Sequence, residues 1–182
     1  MSLKITISGE AGAGKSTVAD ILAKKLKINR HSTGDYMRTM AAARGVTIIE
    51  LNKISETDAS IDKELDDWQK KMEKSKESFV IDSRLGFHFI PSSLKIFLCA
   101  DESVRAQRIF ESKRLVESNT TLKKTLTDMK KRKQLEKKRY IHKYGVDYFD
   151  LVNYDIIIDS TILAPQEIAE KIIQFLKINR NI

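Results

Sequence analysis

Residues 9–17 read GEAGAGKST, set directly behind the run LKITIS and directly ahead of KSTVADILAKKLK. The first run alternates and is β-rich, so residues 3–8 read as a strand. The second repeats apolar residues at helical spacing through Val18, Ile21, Leu22 and Leu26, so a helix follows. Between them Gly9, Gly14, Lys15 and Ser16 fit G-x-x-x-x-G-K-S/T. The glycines let backbone N–H groups turn inward and approach an anion closely. The new helix aims its N-terminus at the same spot. Lys15 is then the cation for β- and γ-phosphates, and Ser16 the hydroxyl for Mg²⁺. A glycine turn joining strand to helix is the plain alternative, and the complete motif in this context favours the phosphate.

The rest of the chain keeps alternating. INRHST reads as a short second strand, and GDYMRTMAAARG as a helix stopped at Gly45. Thr47–Glu50 is a capping-box pattern opening another helix, and DASIDKELDDWQKKMEKSK is an amphipathic helix. Residues 78–82 and 94–100 read as buried strands. ESVRAQRIFES is helical, 119–143 is one long charged helix or a broken pair, YDIIIDS is a last strand, and Pro165 opens a closing helix. Strands alternating with helices predict an α/β fold, a parallel sheet covered on both faces. No repeat or low-complexity linker divides the chain, so one domain over 1–182 is expected. No apolar run reaches membrane-spanning length. The single cysteine, Cys99, reads as a small buried apolar residue and fits a reducing cytoplasm.

Further candidates surround the opening motif. Asp82 ends a predicted strand at the sheet edge where ligands bind, which suits an acid that holds Mg²⁺, often through water. Capping a turn is the alternative. Arg84, two residues on, is placed to face a phosphate. In STGDYMR, Asp35 and Arg38 look like an acceptor-phosphate site, or else a plain helix start with Ser32 or Thr33 as cap. Arg105 and Arg108 fall on one helix. Arg132 and Arg139 lie two turns apart on another, with Glu136 spaced to brace both. Phosphoryl transfer rests on such positioned charges, and arginine's planar fork makes these better phosphate ligands than the lysines nearby. The carboxylates Asp58, Asp62, Asp66 and Asp67 read as the polar face and first turns of their helix. Trp68 and Met72 read as its packing face. His31, His88 and His142 form no metal spacing.

The net charge of +8 is local. Residues 123–143 hold ten Lys/Arg against two Asp/Glu, and the remainder is balanced at 23 of each sign. One basic segment faces an anion or solvent; a broad nucleic-acid face would not leave the remainder neutral.

These residues resemble the nucleoside monophosphate kinases, and among them the cytidylate kinases of the short, archaeal-type branch. The similarity runs nearly end to end through ITISGEAGAGKSTVADILAKKL, HSTGDYMR, SIDKELD, VIDSRL, VRAQRI, KRKQLEKKRYIHKYGVD and NYDIIIDST. The phosphate loop is widely shared; STGD and the R-x₆-R-Y-x₃-Y-G run are more specific. The resemblance implies a P-loop NTPase fold: a five-stranded parallel sheet flanked by helices, a small helical acceptor-binding insertion at 33–77 and a lid within 111–143. It implies transfer of the γ-phosphoryl of ATP to CMP or dCMP with Mg²⁺. Carried over by motif, Gly9, Gly12, Ala13, Gly14, Lys15, Ser16 and Thr17 hold ATP phosphates and Ser16 with Asp82 the metal. Asp35, Arg38 and Arg84 hold the acceptor. Lys15, Arg84, Arg132 and Arg139 act on the transferred group, the last two as lid arginines. One departure is that Leu85 follows Arg84, where the bacterial branch has an acid that helps read cytosine. The base-reading residues are therefore unassigned, with Arg44, Asp62 and Lys63 as candidates.

Rival expectations are an adenylate or other monophosphate kinase, an RNA-binding P-loop protein using 123–143 as a basic arm, and a P-loop regulatory switch. The segment carries Tyr140 and Tyr144 but no interleaved stacking platform, and nothing marks a slow hydrolysis cycle. A cytoplasmic monomer acting on small molecules, with no specific nucleic acid and no membrane, is the expected setting.

Overall fold

The computed structural model describes residues 2–112 and 121–180. Five strands form one parallel sheet: β1 (Lys4–Gly9), β2 (Asn29–Ser32), β3 (Phe79–Asp82), β4 (Leu94–Cys99) and β5 (Ile156–Asp159), in the order β2-β3-β1-β4-β5. Every residue of the central β1 is buried, as a strand covered on both faces requires.

The period of two sorts the strand residues between the faces. Ile5, Ile7, Val80, Ile96 and Leu98 pack beneath α1 (Lys15–Leu26) and α8 (Pro165–Arg180), through Val18, Leu22, Ile168, Ile172 and Leu176. Phe79, Ile81 and Phe97 face the other way. They meet Met72 of α4 (Ala59–Lys74), Phe87 and Phe89 of α5 (Gly86–Phe89), and Tyr148 and Tyr154. On that face β1 presents hydroxyls, each with a partner: Thr6 Oγ1 lies 3.0 Å from Ser93 Oγ, and Ser8 Oγ donates to the Ser83 carbonyl at 2.8 Å. α2 (Thr33–Ala43) and α3 (Ile48–Ile54) close a smaller cluster around Met40, Leu51 and Ile61 at the β2 side. α6 (Glu102–Glu111) packs on α7 (Leu122–Tyr144).

Local chemistry sets several ends. Ser32 Oγ accepts from Asp35 N and starts α2. Thr47 and Glu50 form the expected capping box of α3. The long basic segment is one helix, α7, ended by Gly145 in the left-handed region. Residues 113–120 of the expected lid lie outside the described residues. α5 and the 3-10 turn Leu151–Asn153 are not foreseen from the sequence, both being too short to show a period. Cys99 is only half-buried. Among the described residues no helix is long and apolar enough to cross a membrane.

Candidate active site

The parallel register sets Asp82 beside Ile7 on one side and beside Ser32 on the other, so three strand ends meet at one edge. The loop after β1 lies there. Gly9 has φ 136°, and a Cβ would sit 2.1 Å from the Leu98 carbonyl oxygen. Gly12 has φ 82°, and a Cβ would sit 2.6 Å from the Arg105 carbonyl oxygen. Neither position admits a side chain. The loop is held from outside through its carbonyls: Ala11 O accepts from Arg105 Nη1 at 3.4 Å and Ala13 O from Ser160 Oγ at 2.9 Å. Fully buried Ala13 leads into Gly14, and no side chain caps α1, so its first N–H groups face the loop's concavity.

Arg105 and Arg108, read from the sequence as possible phosphate ligands, are committed elsewhere. Arg105 also donates to the Ala100 carbonyl at 2.8 Å and pairs with Glu10 at 3.3 Å. Arg108 holds the Ser160 carbonyl at 2.8 Å. They brace the walls of the loop.

Lys15 Nζ donates to the Glu10 carbonyl at 2.7 Å. Burial pushes its ammonium down to about 8, against the pull of Asp82 and with the push of Arg84. Ser16 Oγ donates to Asp82 Oδ2 at 2.6 Å, and Thr17 is exposed on the same turn. Ser16 and Asp82 offer hard oxygen donors of the type Mg²⁺ prefers. Among the described residues no group of three His, Cys, Asp or Glu is arranged to cage a metal.

Arg84 Nε donates to Glu136 Oε2 at 2.8 Å, Arg132 Nε donates to Glu136 Oε1 at 2.9 Å, and the Tyr148 hydroxyl adds a third bond at 3.0 Å. Burial works against the Arg84 charge, and Glu136, Tyr140, Tyr148 and Asp82 together more than offset it, so the guanidinium stays firmly protonated. Burial likewise pushes Glu136 up, yet Arg84 and Arg132 hold it below the usual carboxylate range. Asp82, Arg84, Glu136 and Arg132 therefore all lie close enough to Lys15 to act on its charge. Glu136 does not brace both α7 arginines, as their spacing predicted. Arg139 instead pairs with Asp62, which also takes Lys143 at 2.6 Å. Asp35 and Arg38 lie on α2 behind the edge strand β2, where Asp35 pairs with both Arg38 and Arg30. Against the effect of burial, those arginines hold the Asp35 carboxyl below its ordinary range.

The reading of the α4 carboxylates as a polar face is corrected for two of them. Asp58 caps the helix and Asp67 pairs with Lys63 at the surface. Asp62 and Asp66 are buried, 7 % and 9 % exposed, and the Tyr144 hydroxyl donates to Asp66. Asp62, Asp66 and Gln69 follow the i, i+4, i+7 spacing of a buried face, a signal the acidic composition hid. Trp68 does pack, stacking on Tyr36 with ring centres 4.4 Å apart.

Comparison with known proteins agrees with this geometry. The model of the Cytidylate kinase-like family matches residues 4–162. A cytidylate kinase of Sulfolobus acidocaldarius is 36% identical over 174 residues, covering 94% of this chain and 92% of that protein. One of Methanobrevibacter smithii is 35% identical, covering 96% of this chain and 98% of that protein. The fold is shared with P-loop kinases: a shikimate kinase of Acinetobacter baumannii superposes with TM-score 0.66 at 16% identity, covering 99% of this chain and 96% of that one. With a family model spanning most of its length and relatives matched nearly end to end, the chain belongs to the cytidylate kinase-like family.

Proposed function

We propose that this chain transfers the γ-phosphoryl of ATP to CMP or dCMP, giving ADP and CDP or dCDP. The observation that carries the reading is that Lys15, held at the glycine loop, lies within electrostatic reach of Asp82 and of the Arg84–Glu136–Arg132 cluster. Such a set suits phosphoryl transfer, where positioned charge does nearly all the work.

The loop residues Gly9, Gly12, Ala13 and Gly14 would hold the ATP phosphates through backbone N–H groups, with Thr17 beside them. Lys15 would sit against the transferred group. Ser16 and Asp82 would hold Mg²⁺, which when bound bridges phosphate oxygens and offsets their charge. Asp35, Arg38 and Arg84 are assigned to the acceptor, within an acceptor-binding part at 33–77. Arg132 and Arg139 are assigned to a lid within 111–143. Glu136 and Asp62 keep three of these arginines oriented before substrate arrives. An incoming phosphate would take over the arginines' donors, so the site binds anions without first gathering scattered charges. We assign the enzyme to the cytoplasm as a monomer.

A coupled ADP-release assay against a panel of nucleoside monophosphates tests this. CMP and dCMP should be the best acceptors, UMP weaker, and AMP and GMP poor. AMP as the best acceptor would overturn the cytidylate assignment and leave a monophosphate kinase. No turnover of any monophosphate would overturn the kinase reading.

A further inference from the structure

Gln69 is 2 % exposed. Ser83 Oγ donates to its Oε1 at 2.6 Å and fixes the amide. None of the hydrogen bonds among the described residues uses the amide nitrogen at the other end. Among the described residues that nitrogen is not one of the unpartnered side-chain atoms sealed from solvent, so it keeps an opening through which a ligand acceptor atom could pair with it. Asp66, three residues earlier, lies on the same face of α4. Its carboxylate takes the Tyr144 hydroxyl at 3.0 Å and has further acceptor sites.

Both side chains lie toward the proposed phosphate site. α4 leads through a short connection into β3, so the two run in opposite directions and the N-terminal end of α4 lies at the ligand edge. Helical side chains lean toward that end. Ser83, which holds the amide, adjoins Arg84.

We infer that Gln69 and Asp66 read the acceptor base, the Gln69 amide donating to N3 of cytosine and the Asp66 carboxylate accepting from its 4-amino group. This rests on the monophosphate kinase reading and names the residues that reading leaves open. A donor beside an acceptor matches the cytosine edge. Uracil reverses the order: its N3 carries hydrogen and would meet the Gln69 N–H, and its O4 would meet a carboxylate. The candidates from the sequence are otherwise engaged, Asp62 by Arg139 and Lys143, Arg44 by Glu64 and Lys63 by Asp67.

The test is steady-state kinetics on CMP and UMP for the wild type, Gln69→Glu, Asp66→Asn and the double variant, which exchanges donor and acceptor. Gln69→Glu should lower kcat/KM for CMP by ~10²-fold, mainly through KM, and change UMP far less. The double variant should move the CMP-to-UMP ratio toward UMP by ~10²-fold. Ser83→Ala leaves both side chains present and loosens the amide, so it should raise the CMP KM several-fold at unchanged kcat. It carries the test should the α4 variants fail to fold. A wild type that prefers CMP, with a ratio unmoved in folded Gln69→Glu or a KM unmoved in Ser83→Ala, would overturn this inference and leave the functional reading standing. A wild type active only on purine monophosphates would overturn both.

Discussion

At Lys15 a single side chain carries both a cost and a use. The helix start and glycine loop bury an ammonium whose partners are a backbone carbonyl and the nearby Asp82. Removing it should take away charge stabilisation in the transition state, so Lys15→Ala should lower kcat by ~10²-fold or more. The loop is held by Arg105 and Ser160, so the fold should persist, and circular dichroism beside the kinetics checks both. A folded variant with near-normal turnover would remove Lys15 from the mechanism. The displaced titration gives a second expectation. Burial lowers the Lys15 ammonium to about 8 from about 10.5. Between those values the unfolded chain holds a proton that the folded chain has lost. This group's contribution to stability therefore rises with pH across that window, and its penalty is full and constant below it. Lys15→Met should exceed the wild type in stability at pH 7, and the gap should narrow as pH rises through 8 toward 10. Urea melts at several pH values measure it, and a gap that stays constant would contradict the buried-ammonium account. ATP phosphates should raise the same ammonium again. Nucleotide binding near pH 8.5 should then take up protons, which calorimetry in buffers of different ionisation enthalpy detects.

The helix α7 shows how far a pattern is legible at the scale of an element. Its spacing and charge mark a helix with two arginines two turns apart, and the structure has that helix. Spacing along one element does not name partners on another. Glu136 sits at bracing distance from both arginines in sequence, yet reaches across to Arg84, while Arg139 reaches α4. The strands, the glycine loop and most helix ends were legible because each rests on local chemistry. Asp62 and Asp66 were not, because a buried carboxylate looks like a solvated one until the groups that pair with it are known, and Gln69 is a polar residue with no local mark of burial. The same contrast separates the cations of α7. Lys130 pairs with Glu102 at 3.0 Å and Lys137 with Asp147 at 2.7 Å, both lysines well exposed, and such surface pairs contribute ~0–1 kcal/mol. Arg132→Ala and Arg139→Ala should each cut kcat strongly with less change in the CMP KM, since mainly a transition-state contact is lost. A variant with Lys130, Lys131, Lys137 and Lys138 changed to Gln should turn over nearly as the wild type does. Equal losses in the arginine and lysine variants would refute a special role for the two arginines.

Across the whole molecule the charge of +8 raises the question of what the basic segment serves. The fold pairs much of that charge with carboxylates of other elements. Lys133 binds Glu10 at 2.8 Å beside the glycine loop and lies over the Phe149 ring, and Lys143 and Arg139 bind Asp62. Arg132 and Arg84 share Glu136. α7 thus touches the glycine loop, the end of β3 and α4, the contacts that the proposed lid over two substrates would make. An RNA arm needs the opposite, cations along one face left without carboxylate partners. The two accounts differ in salt dependence. Nonspecific binding to RNA releases counterions, so log K falls with log salt in proportion to the phosphates engaged. With several of its cations already paired, the segment should give a shallow slope and a Kd of ~10⁻⁴–10⁻⁶ M near physiological salt. ATP with CMP should instead raise the melting temperature by an amount that grows with ligand concentration. The experiment sets RNA binding across a salt series beside thermal melts with and without both nucleotides, for the wild type, Arg132→Ala and the four-lysine variant. The kinase account expects the nucleotides to stabilise the wild type and the lysine variant, Arg132→Ala to gain less, and RNA affinity to stay weak in all three. Tight RNA binding with a steep slope, lost equally in both variants while the nucleotide stabilisation of Arg132→Ala stays intact, would transfer α7 from the lid to an RNA-binding arm.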